Sequence, residues 1–187
     1  MWYDSAVIYQ IYPLGLCGAP YANDGIEEHR ILKVIDFLDH IKKLGCDTVL
    51  FNPLFESDTH GYNTRDYRRC DVRLGTNEDL KKVCDAIHDK GMKVIIDVVY
   101  NHTSPDSVLA AKHPEWFYHK EDGSFGNKVG DWWDIIDLDL NNTGLWEYLA
   151  ETLAYWAKWV DGFRCDVASV IPVAFWEKAR ALVSQVR

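Results

Sequence analysis

Arg164 and Asp166 stand two residues apart in the run Trp159-Val160-Asp161-Gly162-Phe163-Arg164-Cys165-Asp166-Val167-Ala168-Ser169. Read as a strand, this run sends both side chains to the same side of its sheet. Two charges near the end of a buried strand are expensive unless they are paired or used. A guanidinium beside a carboxylate holds it ionised, which suits a carboxylate nucleophile; a purely structural ion pair is the competing reading. Asp97 breaks an otherwise apolar run, and a carboxylate there needs a partner. The expected role of Asp97 is to hold other site groups in place. Asn101 and His102 follow it closely, and His60 and Tyr62 flank Gly61 in an earlier polar stretch.

The elements that must position these groups alternate in type. Ala6–Tyr12 reads as a strand closed by Pro13, followed by a Gly/Pro/Asn-rich loop over 15–25. Ile31, Val34, Ile35, Leu38, Ile41 and Leu44 recur at helical spacing up to a terminal Gly45. Asp47–Phe51 is the next strand, and a polar loop carrying His60 and Tyr62 leads to a helix with Thr76 as N-cap and Asp79 three residues on. Lys93–Val99 has the β-branched, nearly all-apolar character of a strand buried on both faces. The rhythm lapses from Thr103 to Asn142, a length that marks a functional insertion. It resumes with a helix over 144–159, the Arg164–Asp166 strand and a last helix containing Phe175 and Trp176. Such alternation predicts a parallel sheet with right-handed crossovers. Each polar group of interest falls at the C-terminal end of a predicted strand, the face that carries the site in TIM barrels.

Composition narrows the function classes. The 187 residues are 48% hydrophobic with 8 Trp and 10 Tyr, enough for a substantial core. The net charge of −9 argues against nucleic acid and anionic membrane as partners. No run has the length of a membrane span, the N-terminus lacks the pattern of a secretion signal, and five cysteines lie scattered without CxxC spacing. A cytoplasmic protein with reduced thiols is the expectation; nothing fixes its oligomeric state. Trp116, Trp132 and Trp133 read as core of the insertion, with stacking on sugars as the alternative use of such flat faces.

Taken together, four ordered motifs resemble the α-amylase family of glycoside hydrolases. Asp97-Val98-Val99-Tyr100-Asn101-His102 is similar to its first signature, and Gly162-Phe163-Arg164-Cys165-Asp166-Val167-Ala168 to its nucleophile strand. His60-Gly61-Tyr62, with Thr64-Arg65-Asp66-Tyr67 after it, resembles the loop under the sugar site, and Ile136-Asp137-Leu138-Asp139 a motif near the end of the inserted domain. The resemblance implies a (β/α)8 TIM barrel of which only the first four β/α units are present, with a small domain inserted after strand three. Residues 1–102 and 143–187 would be barrel and residues 103–142 the insertion.

The implied activity is retaining hydrolysis of α-glucosidic bonds in maltooligosaccharides or starch-like glucans. Asp166 would be the nucleophile and Arg164 its partner; His102 would hydrogen-bond the sugar, Tyr62 would stack on it, and His60 and Asp97 would complete the substrate site. The chemistry requires no cofactor, although in the family the Asn101 and Asp137 positions often bind a structural calcium. Val167-Ala168-Ser169 stands where many α-1,4-acting amylases carry a Lys-His pair, and the Asp-Val-Ala stretch looks closer to neopullulanases and cyclomaltodextrinases.

Retaining hydrolysis needs a second carboxyl about 5 Å from the nucleophile. The family's glutamate acid belongs to a fifth strand, and a full barrel takes about 250 residues. This chain therefore reads as a fragment without the general acid, inactive by itself. The alternatives are a transglycosylase or phosphorylase of the same superfamily, a non-catalytic carbohydrate-binding or structural relative, and an unrelated flavodoxin-like protein. The last would want a Gly-rich phosphate turn after the first strand, which Pro13-Leu14-Gly15-Leu16-Cys17-Gly18 is not.

Overall fold

The computed structural model describes residues 1–186. After a 3₁₀ turn at Trp2–Ser5, strand β1 (Ile8–Ile11) leads through a short helix α1 (Pro13–Leu16) and a loop to a 3₁₀ segment at Arg30–Phe37, which continues as helix α2 (Leu38–Lys43). Strand β2 (Thr48–Phe51) is followed by a hairpin of β3 (Phe55–Ser57) and β4 (Thr64–Cys70). Helix α3 (Asn77–Asp89) precedes β5 (Lys93–Val99), and β6 (His102–Thr103) opens the long excursion that holds α4 (Val108–Lys112) and β7 (Ile136–Asp137). Helix α5 (Thr143–Trp156), strand β8 (Gly162–Asp166) and helix α6 (Val173–Val183) complete the chain.

Strands β1, β2, β5 and β8 form one parallel sheet in that order. Ile11, Val49, Phe51, Val94, Ile96 and Val98 alternate onto one face and are buried with the apolar stripes of the helices, among them Leu80, Val83 and Ile87 of α3 and Leu145, Leu149 and Leu153 of α5. The other face is only partly covered. Ile8 is 48% exposed there, Gln10 is exposed, and Leu50 and Ile95 are half-buried. Each strand therefore turns an apolar face to the helices and, at its C-terminal end, polar groups to the open side.

Local signals explain most boundaries. Thr76 caps α3 by accepting from the Asp79 backbone N–H, while the Asp79 carboxylate accepts from the Thr76 backbone. Asn142 caps α5, which begins at Thr143 and ends at Trp156, short of the sequence expectation. The spacing from Ile31 to Leu44 predicts one continuous α-helix, and the first half is 3₁₀ instead. Its first turn is pulled toward a neighbouring loop: Ile31 N–H donates to Leu74 O at 2.8 Å and Arg30 Nη1 to Arg73 O at 3.0 Å. The buried positions Ile31, Val34, Leu38 and Ile41 suit either winding, whereas Leu44 caps the helix and is exposed. The stretch after β2 is a bulged antiparallel hairpin rather than a plain polar loop.

The segment from 103 to 142 is tied back at both ends. β6 pairs with β7, Ser104 N–H donates to Thr64 O, and Leu138 N–H donates to Asn101 O at 2.9 Å. Leu109, Phe117, Ile136 and Leu138 are buried within it.

Candidate active site

The register of β5 and β8 places Asp97 opposite Arg164 and Val99 opposite Asp166. With the period-2 rule this puts Asp97, Arg164 and Asp166 on the open face of the sheet. Arg164 Nη1 sits 2.7 Å from Asp97 Oδ2 and 2.8 Å from Asp166 Oδ1, joining the two carboxylates through one nitrogen. Asp97 is 2% exposed, whereas Arg164 is about half-exposed and Asp166 lies at the wall of a cavity. Tyr62 O–H donates to the same Asp97 oxygen at 3.1 Å, Asn52 Nδ2 donates to the Tyr62 hydroxyl at 2.8 Å, and Gln10 Nε2 donates to Asn52 Oδ1 at 2.8 Å. One hydrogen-bonded row thus runs across the sheet from Gln10 of β1 to Asp166 of β8. Sequence reasoning missed Gln10 and Asn52, because their partners lie 42 and 10 residues away and leave no local pattern.

Asp97 is the strained member of this row. Burial pushes its carboxyl up to about 6, against the opposing pull of the Arg164 guanidinium. Its Oδ1 is buried with no hydrogen-bond partner among the described residues. A carboxyl whose folded value is raised binds its proton more tightly folded than unfolded, so its contribution to stability falls as pH rises from about 4 to about 6. Asp97→Asn is expected to flatten that part of the stability profile. Urea midpoints at pH 4 and pH 7 should show the parent losing up to about 3 kcal/mol more than the variant over this interval; equal slopes would contradict the assignment.

Two histidines close the other side. His102 is buried, donates from Nε2 to Tyr62 O at 3.1 Å, and its Nδ1 lies 3.2 Å from Asn101 Nδ2. Burial lowers its proton affinity and keeps the ring neutral at pH 7. Tyr67 fixes the turn that carries it: its hydroxyl lies 2.7 Å from Val99 O and 3.1 Å from His102 O. His60 Nε2 contacts Asp134 Oδ2 at 2.8 Å, and its Nδ1 accepts from Tyr62 N–H at 3.1 Å. Asp134 was invisible to sequence reasoning, yet it binds both His60 and Asn63 and lines the cavity.

That cavity has a volume of about 280 Å³ and is lined by His60, Tyr62, His102, Trp132, Asp134 and Asp166. Asp97 and Arg164 do not line it; they reach it through their contacts with Tyr62 and Asp166, which do. Trp132 meets His102 edge-on at 5.4 Å. Trp133 is 89% exposed, so the expectation that Trp132 and Trp133 form core fails, whereas Trp116 is partly buried against His113 and Tyr148. Immediately after Asp166, Val167 adopts φ +43, a left-handed conformation that a β-branched residue enters at a cost of about 1–2 kcal/mol. Strain of this kind collects at functional sites.

The implied calcium does not fit the donors as they stand. Asn101 turns Nδ2 toward Asp137 Oδ1 at 3.5 Å, and Asp137 Oδ2 accepts from Lys128 N–H at 2.8 Å. Lys128 lines the same space, and calcium wants six to eight oxygen ligands. No group of three or more His, Cys, Asp or Glu able to hold a metal occurs among the described residues.

This geometry invites comparison with proteins of known activity. The family model described as "Alpha amylase, catalytic domain" matches residues 30–133. The chain belongs to the α-amylase family. It is 32% identical to the α-amylase MalA of Haloarcula japonica over 95% of this chain and 27% of the relative. It is 31% identical to a cyclomaltodextrinase of a Bacillus species over 98% of this chain and 39% of that enzyme. The crystal structure of an α-amylase from Lactobacillus plantarum superposes with a TM-score of 0.85 at 42% identity, covering 96% of this chain and 42% of that one. These α-amylase-family neighbours are TIM-barrel enzymes, and the parallel α/β sheet seen here agrees with theirs. The chain spans about a quarter to two fifths of the curated relatives it matches.

Proposed function

We propose that this chain supplies the nucleophile side of a retaining glycoside hydrolase acting on α-glucosidic bonds of maltooligosaccharides or starch-like glucans. The single observation that carries the reading is the Arg164 bridge: one guanidinium nitrogen joins the buried Asp97 to Asp166, which alone of the two faces the cavity. Asp97 anchors the arginine from behind, and the arginine aims Asp166. Asp166 attacks the anomeric carbon as the bond to the leaving oxygen breaks, forming a glycosyl-enzyme ester that water then hydrolyses. Tyr62 and His102 form the wall against which the sugar ring rests. A sugar hydroxyl reaching His102 Nε2 shares the hydrogen now given to Tyr62 O.

The leaving oxygen needs a proton from a second carboxyl. Asp97 is too deeply buried to deliver one, Asp134 is engaged by His60 and Asn63, and Glu177 is exposed on α6. In this reading the chain is the first four β/α units of a (β/α)8 barrel, residues 103–142 are its inserted domain, and the acid comes from later units. The partly covered sheet face supports it. No helix among the described residues is long and apolar enough to cross a membrane, and five cysteines that form no disulfide among the described residues support a cytoplasmic setting.

The isolated 187-residue chain is therefore expected to leave maltooligosaccharides intact, while the protein that carries it releases sugars in the α configuration. Proton NMR of the first-formed product reads this directly. Turnover by the chain alone, or a β product from the whole protein, would contradict the proposal.

A further inference from the structure

We propose that Gln10 and Asn52 are positioning residues for the reaction: they hold the hydrogen of the Tyr62 hydroxyl on Asp97 and, through Arg164, the aim of Asp166. The inference rests on the glycosidase reading above and extends it to two residues that do not line the cavity.

The polarity of the row follows from what each group can do. An ionised Asp97 only accepts, so the Tyr62 hydroxyl 3.1 Å away donates to it. With its one hydrogen committed, that hydroxyl can only accept from Asn52, which turns Nδ2 toward it at 2.8 Å. Asn52 Oδ1 then faces Gln10 and accepts from Nε2 at 2.8 Å. An asparagine amide has nearly the same shape either way round, and the donor on Gln10 holds the orientation that serves Tyr62. Every hydrogen in the row points toward Asp97, and bonds aligned in this way strengthen one another.

A plain tether between β1 and β2 is the competing role. The backbone already makes that joint: the strands pair in register from Ile8 with Thr48 to Ile11 with Phe51, and Asn52 N–H donates to Ile11 O at 2.9 Å. The loop that carries Tyr62 is brought to the same place by a close approach. Gly61 has φ +95, and a Cβ there would lie 2.8 Å from Pro53 O, so the chain needs glycine to pass. Asp97 Oδ2 takes hydrogens from Tyr62 and Arg164, and Arg164 Nη1 is shared with Asp166 Oδ1. Without the tyrosine hydrogen, Asp97 draws harder on that shared nitrogen and pulls it from Asp166. A small misplacement of the attacking group slows the chemical step more than it weakens binding.

The test is a double-variant cycle in the whole protein that carries this chain, read as kcat and KM on maltoheptaose. Asn52→Leu breaks the row at its centre. Gln10→Met acts from an exposed position, removes little packing, and carries the test alone if Asn52→Leu does not fold. With KM nearly unchanged, kcat should fall about tenfold in Asn52→Leu and about threefold in Gln10→Met. Tyr62→Phe keeps the ring and lacks the hydroxyl, so in that background both losses should vanish. Losses of equal size in the two backgrounds would show a tether and overturn the assignment, as would an unchanged kcat in both single variants of an active parent. A parent inactive on every α-glucan overturns the glycosidase reading, and this inference with it.

Discussion

Asp166→Asn should abolish turnover while leaving the fold in place. If Asp166 attacks the anomeric carbon, an amide at that position has no nucleophilic oxygen, and kcat/KM should fall by at least about 10⁴-fold, some 5.5 kcal/mol in the barrier. Its environment argues that folding survives. Asp166 is a half-buried residue near the end of β8, and Arg164 keeps its second partner, Asp97, when the charge at 166 is lost. A structural ion pair would give the opposite pattern, with stability lost and the chemical step kept. Steady-state kinetics beside a thermal melt separate the two, and turnover within tenfold of the parent would refute the nucleophile assignment.

Arg164→Met carries the second large effect, and it acts through Asp97. Removing the guanidinium leaves a 2% exposed carboxylate with only the Tyr62 hydroxyl to answer it. Breaking a buried pair from one side costs about 3–5 kcal/mol; because Arg164 is about half-exposed and screened, about 3 kcal/mol is the expectation. The proton affinity of Asp97 should climb further, so the variant regains stability as pH falls from 7 toward 5. Asp97→Asn in the same chain removes the orphaned charge. Urea unfolding of the two single variants and the double variant should therefore give a double loss smaller than the sum of the singles. Strict additivity would show that the two residues do not act as a unit.

Much of this site was legible in the sequence because its strongest signals are local. Arg164 and Asp166 share a strand, so their spacing alone put them on one face, and the apolar run around Asp97 marked a buried carboxylate. The Thr76–Asp79 box wrote the start of α3 in four residues. What escaped was set by partners distant along the chain. The β3–β4 hairpin hid because Thr-Arg-Asp-Tyr-Arg-Arg-Cys does not alternate apolar and polar residues; its charges pair outward, as Arg65 does with Asp58, while Thr64, Tyr67 and Cys70 go inward. The 3₁₀ segment at Arg30–Phe37 looked α-helical because spacings of three and four fit both windings, and the contacts with Arg73 and Leu74 that divert it lie some 43 residues away. Asp134 reaches His60 across 74 residues. Trp133 misled for another reason: indole area marks a core as readily as a binding platform, and only its exposure tells them apart.

The most direct test of the central claim is where a trapped sugar becomes attached. The whole protein that carries this chain would be incubated with a fluorinated α-glucosyl fluoride, whose leaving group departs without an acid and whose ring fluorine slows hydrolysis of the ester. Peptide mass spectrometry then locates the adduct. The expected result is one glycosyl unit on Asp166, absent from Asp166→Asn. A label on another carboxylate, or none while the same fluoride is turned over, would show that Asp166 is not the nucleophile.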